Sequence, residues 1–199
     1  GAIASAVIIG SALVAAACGG SGSGSSEAAK NAAALDYVPS SALGYVTVDT
    51  DFEDDAWKNV DELAKVVNPD FTSVQDEVAD SASNDSDKVD WTKDVEPWLG
   101  DGAGAAVLGI DADSGDSKVF AWVELKDSSA FEDFAKGRDY KKSSTSVNGF
   151  DVWTTSDDDT VIGVKDDLAI LAENKKQFAS IVKFDGDSIA DADGVGDAI

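Results

Sequence analysis

Residues 13 to 20 read Leu13-Val14-Ala15-Ala16-Ala17-Cys18-Gly19-Gly20, an apolar run with small side chains that closes on the only cysteine of the chain. The chemistry this spacing serves is lipidation. An apolar stretch enters the membrane, small residues admit a peptidase at the Ala17–Cys18 bond, and the Cys18 thiol carries a diacylglycerol thioether. A further acyl chain on the new N-terminus completes the several hydrophobic signals that stable anchoring needs. Ala2 to Ala17 holds no charged residue and falls short of the roughly 20 residues that span a bilayer, so it is expected as the apolar core of a signal peptide. Gly1 stands first and no Met occurs, so residues 1–17 are read as a signal peptide that is N-terminally incomplete. The competing reading is an uncleaved anchor helix that happens to end in a cysteine.

Other residue types narrow the chemistry mainly by exclusion. Without His there is no Ser-His-Asp triad, no Cys-His pair and no His-ligated metal. With Cys18 lipidated, disulfide and thiol chemistry go too. Asp111-Ala112-Asp113-Ser114-Gly115-Asp116 looks like an oxygen-ligand loop, but counting Asp111 as the first position of a calcium loop puts Gly115 at a ligand position and Trp122 where the bidentate Glu belongs. Asp185, Asp187, Asp191 and Asp193 fail likewise, with Ile189 at a ligand position. No catalytic, cofactor-binding or metal-binding residue is assigned, and no cofactor is expected. Gly100-Asp101-Gly102-Ala103-Gly104 lacks the spacing of a phosphate loop and is expected as a tight turn before a strand at Ala105 to Ile110.

Five tryptophans, Trp57, Trp91, Trp98, Trp122 and Trp153, stand among 39 carboxylates, which keeps a glycan reading open. If the sheet has a solvent face, Trp122 with Phe120 is the candidate stacking patch. A glycoside hydrolase needs two carboxylates about 5 or 9 Å apart in a cleft, and no spacing singles out a pair.

The elements that would position these groups follow from periodicity and punctuation. Leu43 to Asp49 reads as a strand, and Ala56 to Val67 places Trp57, Val60, Leu63, Ala64 and Val67 on one helical face. Asp54 and Asp55 supply its N-cap and Asn68-Pro69 its stop. Phe71, Val74, Val78 and Ala82 mark a second helix, and Ser83 to Asp90 an acidic loop. Lys118 to Lys126 alternates as a strand. Ser129 and Glu132 stand at capping-box spacing for a helix with Phe131, Phe134 and Ala135 inward. Asn148-Gly149 is a strong hairpin turn between Tyr140–Val147 and Phe150–Ser156. Asp157–Asp159 and Lys165-Asp166-Asp167 turn the chain through Thr160–Val164 into Leu168–Ala172, and Asn174 caps a helix carrying Phe178, Ile181 and Val182.

Short turns between successive strands mean antiparallel pairing. The expected class is α+β: an antiparallel sheet built from consecutive hairpins, with helices packed mainly on one face. The expected domain organisation is a leader at 1–17, a lipidated Cys and flexible Gly/Ser/Ala tether at 18–34, and a single α+β domain at 35–199 that is expected to be cut short at its C-terminus. The eight residues Gly19 to Ser26 are all Gly or Ser and reach about 15 Å as a flexible coil. The formal charge of -24 lies entirely beyond Ser26, a field that repels nucleic acid and anionic lipid surfaces.

Val38-Pro39-Ser40-Ser41-Ala42-Leu43-Gly44-Tyr45-Val46, Asp94-Val95-Glu96-Pro97-Trp98-Leu99-Gly100-Asp101, Gly149-Phe150-Asp151-Val152 and Gly186-Asp187-Ser188-Ile189-Ala190-Asp191 occur in that order. In order and spacing they resemble a family of uncharacterised bacterial envelope proteins catalogued as domain of unknown function 3352. The resemblance runs from Leu35 to the end of the chain, and Glu96 to Asp101 is its most specific part. It implies one extracytoplasmic domain and brings no functional residues with it. The expectation is a bacterial lipoprotein held extracytoplasmically on the cell membrane by lipid on Cys18, with a non-catalytic envelope or interaction module that meets an envelope protein or glycan. The alternative is a glycan-binding or carboxylate-based glycan-hydrolysing domain.

Overall fold

The computed structural model describes residues 32–82, 89–110, 117–138, 140–155 and 160–191. Seven strands form one sheet: β1 (Gly44–Asp49), β2 (Leu99–Ile110), β3 (Ser117–Leu125), β4 (Lys141–Lys142), β5 (Asp151–Thr154), β6 (Val161–Lys165) and β7 (Leu168–Ala172). Their order is β1-β2-β3-β7-β6-β5-β4 and every pairing is antiparallel. Two runs of neighbouring strands, β1 to β3 and β4 to β7, meet where β3 pairs with β7. The chain is α+β with a hairpin-built antiparallel sheet, as its turns predict.

The turns themselves explain the pairing. Asn148 and Gly149 both take positive φ, 52° and 85°, which gives the turn whose twist matches a right-handed hairpin. Val147 and Phe150 bridge across it, and Asp151–Thr154 then pairs with Val161–Val164. Asp166 is also left-handed at φ 51°, a conformation aspartate tolerates, and it turns β6 into β7.

The helices are α1 (Ala32–Leu35), α2 (Asp55–Val67), α3 (Val74–Ala82), α4 (Ser128–Gly137) and α5 (Lys175–Val182), with a five-residue π-helical turn at Trp91–Val95. Caps fix their starts. Asp54 accepts from Ala56 N, and Asn174 accepts from Gln177 N. The α4 cap is Asp127, which accepts from both Ser129 N and Ala130 N, so the helix starts two residues ahead of the Ser129 capping box. An aspartate placed earlier already satisfies those two orphan amides.

Helices pack against both faces of the sheet, α1 and α5 on one and α4 on the other. Phe120, Trp122, Val161, Leu168 and Ile170 meet Phe178, Ile181 and Val182 of α5, together with Ala34, Leu35 and Val38. On the opposite face Leu125, Trp153, Ile162, Val164 and Ala169 meet Phe131 and Ala135 of α4. Consecutive apolar residues in β6 and β7 oblige both faces to be covered. α5 lies close to the sheet because β6 carries Gly163 there: a Cβ would stand 2.0 Å from Cζ of Phe178.

The expected turn at Gly100–Gly104 is instead part of β2, which runs without interruption from Leu99 through Ile110. A Cβ on Gly104 would fall 2.2 Å from Cζ2 of Trp122 and one on Gly100 2.9 Å from the Glu124 backbone. These glycines are there for close approach across the β2–β3 ladder, whose register shifts between Leu99 and Ala103.

Candidate functional site

Cys18, the lipidation residue, lies outside the described residues, as do the acidic run at 111–116 and Asp193. Among the described residues no helix is long and apolar enough to cross a membrane, and no group of three His, Cys, Asp or Glu is placed to hold a metal ion. Asp187 and Asp191 are used locally. The Asp187 carbonyl accepts from Ser40 N, and the Asp191 carboxylate accepts from both the amide and the hydroxyl of Ser188. Those Ser188 bonds hold the Asp191 carboxyl below the ordinary aspartate range.

The condition for a Trp122–Phe120 stacking patch, a solvent face at that part of the sheet, is not met. Trp122 is 2% exposed and Phe120 1%, and Trp153 is 1% exposed on the other face. Strand β3 alternates correctly, but α4 and α5 cover both sides of it, so its large rings are core. Trp98 packs edge-on against Phe131 with ring centres 5.3 Å apart and donates from Nε1 to the Asp94 carbonyl. Trp57 and Trp91 both lie against Phe52, at 5.3 and 5.4 Å.

Beside a smaller open cleft of about 410 Å³ that Asp94, Trp98, Asp133 and Arg138 line, two surface features stand out among the described residues. The first is an open cleft of about 580 Å³ at one end of the sheet, where Asp36, Asp101, Glu124 and Asp166 face Lys126 and Lys165. Tyr37 and Phe150 form its apolar part, and no tryptophan lines it. Lys165 Nζ sits 5.6 Å over the Phe150 ring, which positions a cation beside the carboxylates. The cleft is suited to charged groups of either sign and has no tryptophan to stack against a sugar.

The second feature is apolar. Among the described residues, all six large hydrophobic side chains that stand exposed lie between Leu43 and Val67: Leu43, Tyr45, Val60, Leu63, Val66 and Val67. Helix α2 is strongly amphipathic, yet none of its residues is buried. Leu63 is 68% exposed and Val67 82%. What ties α2 to the sheet is its first turn, where Trp57 Nε1 donates to the Asp49 carbonyl at 2.9 Å. Asp61 reaches α3 by accepting from Val74 N. Sequence periodicity places these residues on one apolar face but is silent on what covers it, because a helical stripe reads the same whether or not something lies against it.

A family model described as "Protein of unknown function (DUF3352)" matches residues 1–188, nearly the whole chain. No curated protein and no solved structure matches it. The match spans the β1–α2 surface, the cleft and both halves of the sheet, and the chain belongs to the DUF3352 family.

Proposed function

We propose that the chain is an extracytoplasmic lipoprotein, anchored to the bacterial cell membrane through Cys18, whose domain is a non-catalytic interaction module. The lipid anchor is supported by the small-residue run into Cys18 and the Gly/Ser tether that follows. The observation that carries the module reading is the exposed apolar face of α2. Soluble domains seldom leave contiguous large apolar side chains in water, and where they do the surface marks an interaction site. Here Val60, Leu63 and Val67 recur at helical spacing on a helix with no buried residue.

A photo-crosslinking residue at Leu63, in the full-length protein in its own cells, tests this. A discrete adduct at Leu63 and none at exposed Lys176 on α5 is the expected result. Equal labelling at both positions would remove the module reading. In parallel, Cys18→Ser should move the protein out of the membrane fraction, and retention there would mean an anchor helix instead of a lipid.

A further inference from the structure

Strand β1 ends the sheet, and among the described residues no strand pairs with its outer edge. Thr50 N donates to the Asp101 carbonyl at 2.9 Å. With Gly44 opposite Val107 and Asp49 opposite Gly102, the alternation of an antiparallel ladder turns the backbone groups of Val46 and Val48 toward β2. Those of Tyr45, Thr47 and Asp49 then point away from it. The outward Asp49 carbonyl is taken by Trp57 Nε1, which closes the edge at that end. At the other end Gly44 is open, with nothing near the position of a Cβ.

Sheet edges in soluble proteins are normally guarded by lysine, proline, a bulge or a covering element. Gly44-Tyr45-Val46-Thr47-Val48-Asp49 has no lysine and no proline, and Tyr45 is 43% exposed. The opposite edge of the sheet is guarded: β4 is two residues long and both are lysine. The contrast in one sheet singles out β1.

We infer that β1 accepts an extended segment of a partner protein by strand addition, and that the segment alternates apolar with basic residues. The inference rests on the interaction-module reading and names how and with what chemistry the module binds. Charge selects the occupant. Between Gly44 and Ala82 there are eleven carboxylates and two lysines; Asp49 ends the strand, and Asp51, Glu53, Asp54 and Asp55 follow it. A second copy would bring the same excess of negative charge to the same edge, whereas a basic strand is attracted to it. The outward amides and carbonyls of Tyr45 and Thr47 supply main-chain hydrogen bonds, and the exposed Leu43 and Tyr45 side chains supply apolar contact.

The test uses the full chain with a blocked hexapeptide alternating Lys and Val, and one alternating Glu and Val, read by amide exchange of Tyr45 and Thr47. The basic peptide should slow exchange at these two amides and the acidic one should not. Thr47→Pro removes only an outward donor and should weaken binding about tenfold or more. Tyr45→Lys, which puts a like charge before the basic peptide, should weaken it as well and serves if the proline variant fails to fold. Unchanged exchange with the basic peptide, equal effects of both peptides, or slow exchange already caused by dimers of the free chain would each overturn strand addition. A Leu63 cross-link that persists in any of those cases leaves the module reading standing, so the two fail separately.

Discussion

Strands β5 to β7 and the strand pair β1–β2 belong to one sheet, yet they are finished differently. Around β6 and β7 every side chain from Val161 to Val164 is buried, with α5 on one face and α4 on the other. At β1 the residues are exposed or half-buried, and the helix that follows, α2, buries nothing. The same chemistry of apolar residues at regular spacing therefore has two outcomes. Where both faces are covered it makes a core; where a helix is tied to the sheet through its first turn, as α2 is by Trp57, it leaves a surface to be used.

The largest expected effect lies in the covered half. Phe178 is 1% exposed and sits against Gly163 and edge-on to Phe150, so Phe178→Ala should cost about 3–5 kcal/mol in chemical denaturation. A loss below about 1 kcal/mol would mean that the α5 face is not a close-packed core.

The seam between the halves comes next. Gly104→Ala would drive a methyl into the Trp122 ring, and overpacking of this kind costs about 1–3 kcal/mol. An alanine there that leaves stability unchanged would contradict the close β2–β3 approach.

In the open half, Leu63→Ser with Val67→Ser should change stability by no more than about 0.5 kcal/mol, because neither side chain is packed. A large loss would show that α2 is part of the core and would erase the comparison.

The smallest effect concerns the covered half's outer loop. Asp191, held below its ordinary value of 3.8 by Ser188, favours the folded state while ionised. That contribution is complete above about pH 4 and is lost as the pH falls through the lowered folded value. Amide exchange of Ile189, which donates to the Val38 carbonyl, should therefore speed up below pH 4 more in the wild type than in Asp191→Asn.

Turns and caps were the legible part of the sequence. Asn148-Gly149, Asp54 and Asn174 act locally, through backbone angles and nearest amides, so their residue types are sufficient. Gly100–Gly104 was misleading because glycine marks close approach as well as turns, and only the tertiary partner, Trp122, tells them apart. The burial of Trp122 and Phe120 stayed open for a related reason. Period two shows which residues share a face and is silent on whether a helix covers it. The exposed stripe on α2 could not be read for the same cause in reverse, since a sequence shows the apolar face without showing what lies against it.

Residue-resolved hydrogen exchange of the unliganded chain compares the two regions most directly. The account predicts that amides in the β6–β7 hairpin and in α5, Phe178 to Val182, exchange only by global unfolding. Amides in α2 from Asn59 to Val67 should exchange by local opening, at rates insensitive to low denaturant. If α2 exchanges as slowly as α5 and with the same denaturant dependence, its apolar face is held by the fold itself, and the surface proposed for docking is not a surface.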